Sequence, residues 1–123
     1  MINVTIPNLP KFQKALKKYP QLAEKEIKDA LTKSLYQIVR ETKPITPVKT
    51  GRLRNSIGEV GSEGIFKVEK MRGTIGTNVQ YAVYVHGKKP FLLQGTQKAL
   101  GAIKGFFKDA MDNVFNKIAS DSN

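Results

Sequence analysis

Residues 21–42 form one unbroken amphipathic period, closed downstream by Pro44 and Pro47, and no other stretch limits the fold as much. Ala23, Ile27, Ala30, Leu31, Ser34, Leu35, Ile38 and Thr42 recur at helical spacing. Glu24 and Lys28, then Asp29 and Lys33, stand four apart on the wet side, the order that suits a helix. Proline lacks the amide hydrogen and disfavours helical backbone in the residue before it, so the run ends at these prolines. At 1.5 Å per residue the helix is about 33 Å long. In a chain of 123 residues it can serve as the spine of one domain.

The remaining segments supply what packs on that spine. A first helix is predicted over residues 10–19, capped by Asn8, with Phe12, Ala15, Leu16 and Tyr19 on one face and Lys11, Lys14, Lys17 and Lys18 on the other. Residues 43–49 read as a loop, and Thr50 as the cap of a short helical turn over residues 51–55. Residues 57–60 read as a weak strand. Residues 65–71 alternate apolar and charged after the first, as a half-buried strand does. Arg72-Gly73 offers turn chemistry, with residues 74–79 returning as the partner strand.

Residues 80–85 are too few for periodicity to separate helix from strand. A short helix that presents its tyrosines to a surface is the preferred reading. On one helical face Tyr81 and Tyr84 serve either core packing or an interface. Residues 87–90 read as a loop, and Phe91-Leu92 as its anchor in the core. A C-terminal helix over residues 97–119 buries Ala99, Ile103, Phe106, Phe107, Ala110, Met111, Val114 and Ile118. Gly101 and Gly105 each weaken it by ~1 kcal/mol relative to alanine, which predicts close approach of another backbone. The expected fold class is therefore α+β: an antiparallel sheet of about three to four strands packed against a long N-terminal helix and a C-terminal helix. Residues 1–123 form a single domain, with 1–9 an N-terminal arm and 120–123 a frayed tail.

The chemistry-bearing residues exclude more than they offer. The chain has no cysteine, so disulfides and thiolate metal sites are ruled out, and this fits folding in a reducing compartment. His86 is the only histidine, so one chain cannot build an imidazole or thiolate metal site. Its expected role is in packing or at the surface. Asp109 and Asp112 stand three apart, yet nothing else marks a two-carboxylate site. No phosphate-binding glycine motif is present. No stretch approaches the ~20 apolar residues of a membrane span, and the N-terminus lacks the pattern of a signal peptide. Neither catalytic residues nor cofactors are expected.

The net charge of +11 is unevenly spread. Residues 1–50 carry ten Lys/Arg against four acids, residues 51–95 seven against three, and residues 96–123 four against three. Such a field favours acidic partners, whether nucleic acid or an acidic protein surface, when it does not serve solubility alone. Lys49, Arg52, Arg54, Arg72, Lys88 and Lys89 surround a middle section that also holds Tyr81, Tyr84 and Phe91, a mixture used in phosphate and base contacts. No sequence-reading motif accompanies them. A basic nucleic-acid-binding module without sequence specificity is one reading of these residues, and a small hydrolase built on His86 is a weaker one.

The middle section also carries a family resemblance. Thr46-Pro-Val-Lys-Thr-Gly-Arg-Leu-Arg-Asn-Ser-Ile57 resembles a signature of proline, threonine-glycine, leucine, arginine and serine. That signature follows the long helix in head–tail joining, or tail-completion, proteins of long-tailed bacteriophages, the lambdoid "gene product ten"-like neck family. Ile75-Gly-Thr-Asn-Val79 is similar to the family's second strand, and Tyr81-Ala82 and Tyr84-Val85 to its tyrosine segment. Pro90-Phe91-Leu92, followed by Ala99, is similar to the lead into its final helix. Together the pieces cover residues 20–119. His86-Gly87-Lys88-Lys89-Pro90 is shorter than the glycine-threonine loop that family members commonly carry, a departure at a place where a partner would dock.

The resemblance implies a structural virion protein made in the host bacterial cytoplasm, from a phage or a prophage, with no enzymatic step. It would act as a ring in the neck, although family members are often monomeric when purified. Its partners would be further copies of itself, connector, adaptor or stopper proteins, and tail terminator or tail tube proteins. The ring would place the positive charge against packaged DNA or acidic connector surfaces, with no membrane involved. Lys49, Arg52, Arg54, Arg72, Tyr81, Tyr84, Lys88 and Lys89 are the candidate interface or DNA-facing residues.

Overall fold

A computed structural model describes residues 2–6, 20–47, 51–59, 61–69 and 72–121. The chain runs as strand β1 (Ile2–Ile6), helix α1 (Pro20–Thr42), a 3-10 turn (Lys43–Ile45), helix α2 (Arg52–Ser56), strands β2 (Gly64–Glu69) and β3 (Arg72–Thr77), helix α3 (Ala82–Lys88) and helix α4 (Phe91–Asp121). The fold is α+β, a three-stranded antiparallel sheet with a long first helix and a long C-terminal helix. The expected helix over 10–19 with its Asn8 cap, the Thr50 cap, Lys49 and residues 122–123 of the expected frayed tail lie outside the described residues; residues 120–121 of that tail continue the C-terminal helix instead.

Helix α1 follows its sequence pattern closely. All eight apolar-face positions, Ala23 through Thr42, are buried. Ser34 is tolerated there because its hydroxyl donates to the Ala30 carbonyl at 2.7 Å. Pro44 ends the α-helix as expected, but residues 43–45 tighten into a 3-10 turn rather than a loop. Thr46 fastens that turn, its hydroxyl donating to the Thr42 carbonyl at 2.7 Å. The expected pairs Glu24–Lys28 and Asp29–Lys33 do not close; among the described residues the two ion pairs are Lys43–Glu59 and Arg52–Glu63.

The sheet order is β1-β3-β2, with β3 central. Strand β1 comes from the segment expected to be an arm, pairing Val4 with Ile75. Arg72 and Gly73 are not a turn: they pair with Glu69 and Val68 as the start of β3, and the connection falls at residues 70–71. Gly73 answers to packing instead, since a Cβ there would stand 3.3 Å from the Leu35 side chain of α1. The weak strand expected at 57–60 does not form. Ile57 is buried and Gly58 turns with φ +71°, a conformation that glycine adopts without strain. The Gly58 amide donates to the Gly76 carbonyl at 3.1 Å.

Helices α1 and α4 lie antiparallel: Thr42 meets Gly95 at one end, and Asn113 donates to Glu26 at 3.2 Å towards the other. Between them Leu31, Leu35, Ile38, Phe91, Leu92, Ala99, Ile103 and Phe107 share one apolar cluster with Ile75 of the sheet. Each fully buried side chain of this size contributes about 1.5–3 kcal/mol. Helix α4 begins at Phe91, six residues before its expected start, with the Gln94 amide donating to the Pro90 carbonyl at 2.9 Å. Phe91 and Leu92 anchor the core from the first helical turn, not from a loop. At Gly101 and Gly105 no backbone approaches among the described residues, and added side chains would meet none of them within 4 Å. The close approach falls at Gly95, where a methyl would overlap the Thr42 hydroxyl and stand 2.8 Å from Thr42 Cα and Cβ.

Candidate assembly interface

Two motif segments far apart in sequence meet at one end of the sheet. Gly51, with φ +83°, admits the chain to α2. Leu53 and Ser56 then face inward while Arg52 and Arg54 stay exposed. Ser56 Oγ donates to the Leu53 carbonyl at 2.7 Å and lies 2.6 Å from Thr77 Oγ1, so the two buried hydroxyls share a hydrogen bond. Thr77 Oγ1 also accepts the Val79 amide at 3.1 Å and stands 3.3 Å from the Glu63 carbonyl. The Asn78 amide donates to that same carbonyl at 2.8 Å. This buried network locks α2, residues 61–63 and the end of β3 to one another, and so fixes where α3 starts. Burying hydroxyls is tolerable only when they are bonded in this way.

Outside the network lies a polar rim. Arg52 Nη2 is 2.8 Å from Glu63 Oε1, which also accepts from Arg52 Nε at 2.8 Å. That hydrogen bond first, and the carboxylate charge second, hold the guanidinium above its ordinary pKa, with a smaller electrostatic contribution from Tyr81. Tyr81 is 39% exposed and Tyr84 66% exposed, so neither ring is buried in the core. Lys88, one turn beyond Tyr84, sits 4.6 Å above that ring. A cation–π contact at an exposed site contributes about 0.5–1 kcal/mol. Lys89 follows as an exposed cap residue whose amide donates to the Val85 carbonyl at 2.9 Å.

The candidate residues do not all converge. Tyr84, Lys88 and Lys89 come together on and after α3, and Arg52 pairs with Glu63. Arg54 lies two positions from Arg52 on a short helix, a spacing that cannot share a face. Arg72 opens β3 while Thr77 closes it, about 17 Å away at strand rise. Lys49 is outside the described residues. Sequence reasoning missed Glu63, Ser56 and Thr77, although Ser56 and Thr77 belong to the motif pieces it singled out. It also missed Tyr36, an exposed residue of α1 whose ring stacks on Phe66 at 4.9 Å between centroids. Leu93, Leu100 and Phe115, exposed on α4, escaped because their helix was read only for its buried stripe.

Nothing in this arrangement forms a catalytic constellation. Among the described residues no group of three or more His, Cys, Asp or Glu could hold a metal ion. His86 packs edge-on against Phe91, with centroids 5.2 Å apart. No described helix is long and apolar enough to cross a membrane. What the surface offers is aromatic area beside positive charge on the short helix α3.

The geometry defines an α+β domain whose short helix α3 exposes Tyr84 and Lys88. The chain belongs to the HK97-gp10-like family: residues 10–86 match the family described as "Bacteriophage HK97-gp10, putative tail-component". The match takes in α1, α2, the β2–β3 hairpin and α3 as far as His86, and leaves α4 beyond it. No curated protein and no solved structure matches the chain. Membership gives the protein a structural phage role, a place in the virion and other virion proteins as its partners.

Proposed function

We propose that the chain works as a single domain at the head–tail interface of a long-tailed phage, joining filled head to tail or completing the head-proximal end of the tail. It is made in the host cytoplasm and acts in the neck as a ring of identical copies, bridging connector or stopper proteins on one side and tail terminator or tail tube proteins on the other. The observation that carries this reading is family membership across the segment that builds the exposed α3 surface. Tyr84, Lys88 and Lys89 make that surface aromatic and positive, suited to acidic partners. Residues 72–105 hold five Lys/Arg and no acid, so a ring lined by this part of the chain could also rest against packaged DNA by charge alone.

Electron microscopy of particles made without this gene tests the proposal. Filled heads and finished tails that fail to join are the expected result. Normal infectious particles would remove it and leave the nucleic-acid-binding reading, to be judged by the salt dependence of duplex binding.

A further inference from the structure

The described fold is electrically lopsided. Where the start of α1 packs beside the outer half of α4, residues 20–30 and 106–117 carry four lysines against five acids. The rest of the described chain carries eleven Lys/Arg against five acids. The two regions also present unpartnered apolar side chains. Phe115, 55% exposed, stands on the outer half of α4 one turn beyond Asp112. Tyr84 and Val83 stand exposed on α3, followed by Lys88 and Lys89. Leu93 and Phe115 are about 33 Å apart along α4, so the two patches of one molecule cannot cover each other.

We propose that copies of this chain associate head to tail, the Phe115–Asp112 surface of one copy seating on the Tyr84–Lys88–Lys89 surface of the next. The inference rests on the reading of the protein as a multi-copy ring and names the two faces that would close it. The acid excess of the α1–α4 end and the basic excess of the rest of the described chain, each beside exposed apolar area, favour this partner over an unrelated one. A two-fold pairing through the same helix is disfavoured. Leu93, Leu100, Lys104 and Phe115 share one outer stripe of α4 at helical spacing. Antiparallel apposition of two such stripes brings Lys104 against Lys104 at the symmetry axis. A contact between unlike faces repeats into a ring or a filament, whereas a two-fold contact stops at a dimer.

The absence of native cysteine makes cross-linking free of background. Gly87→Cys and Asn116→Cys, which stand beside Tyr84 and Phe115 and leave both rings in place, are made singly and together, and the concentrated proteins are oxidised. The double variant should give a ladder of dimers, trimers and larger species. Each single variant should remain monomeric, and an equimolar mixture of the two should stop at dimers. A homodimer of either single variant at the yield of the mixture, or a double variant that stays monomeric, overturns the proposal. Both positions are exposed, and circular dichroism verifies the fold. A second measurement needs no cysteine: Lys88→Glu/Lys89→Glu protein mixed with Asp109→Lys/Asp112→Lys protein should associate, while a double set of reversals on only one face should abolish self-association. No ladder alongside unjoined heads and tails would remove the head-to-tail contact and keep the neck role. A ladder alongside normal particles would do the reverse.

Discussion

Gly95 and the pair Gly101 and Gly105 lie on the same helix within a few turns, and the fold uses them in opposite ways. At Gly95 the first third of α4 presses onto Thr42 so closely that no side chain fits. At Gly101 and Gly105 the helix faces open space. The inner end of the α1–α4 pair is sealed, and the outer stripe is left uncovered. The same residue type thus marks the tightest contact in one region and the absence of any contact in the other. A glycine in a helix costs ~1 kcal/mol wherever it is; only the sealed end returns something for that cost within the monomer.

The largest effect should come from breaking the seal. Gly95→Ala forces a methyl onto the Thr42 hydroxyl and to 2.8 Å from its Cα and Cβ, so the helices must part. The expected loss is about 3 kcal/mol, the upper range of overpacking, read from the denaturation midpoint at unchanged m-value. Thr42→Ala in the same chain should recover only part, because Cα and Cβ remain in the way. Full stability in the single variant would mean that the seal yields easily and that the contrast along α4 is false.

Next in size is the network that holds the short helices at the sheet end. Thr77→Val keeps the shape but leaves the Ser56 hydroxyl without its 2.6 Å partner and the Val79 amide without its acceptor. A buried polar group stripped of its partner costs about 1–3 kcal/mol. A loss of about 2 kcal/mol is expected, with faster amide exchange at Val79 as the local sign. The global midpoint should fall less than in Gly95→Ala. An equal or larger fall would place the stability of the fold in the motif segments rather than in the helix pair.

These two sites also show what could be read from residues alone. Eight apolar positions of α1 follow from spacing because one helix face meets one core, and local periodicity carries that information. Strand β1 does not, because Val4 finds Ile75 across a long stretch of chain and five residues in isolation prescribe no partner. Arg72-Gly73 was expected to turn because glycine serves turns well. Its actual reason, the Leu35 side chain 3.3 Å from where a Cβ would be, is tertiary. Gly95 lies before the expected helix start at residue 97, yet it is the point where the helix is held against Thr42. At the interface the exposed arginines and tyrosines were legible by type. The pairing of Arg52 with Glu63 was not, since nothing in an eleven-residue separation signals it.

Filling the open side should have the opposite sign. Gly101→Ala and Gly105→Ala meet nothing within 4 Å, so each should gain about 1 kcal/mol of helix propensity without a packing penalty. The gain is expected in the isolated monomer. If it appears there but the double variant no longer cross-links through Gly87→Cys and Asn116→Cys, the two glycines serve the assembled state. If neither variant gains stability, the outer stripe is covered in solution and the contrast needs revision.

The smallest effect on stability should fall at Phe115. Its ring is 55% exposed and lies outside the apolar cluster that joins α1, α4 and the sheet. Phe115→Ser should therefore shift the denaturation midpoint by no more than the equivalent of about 0.5 kcal/mol, as surface changes do. An aromatic ring left half in water is unfavourable for a monomer and useful for a molecule that is to be covered. The same substitution should therefore abolish association between copies while leaving the fold intact. Buried Val114, its immediate neighbour, supplies the control: Val114→Ser should destabilise the monomer outright. If instead Phe115→Ser lowers stability as Val114→Ser does, the outer half of α4 is core after all. The division between a sealed inner stripe and an outer stripe kept for a neighbour would then collapse.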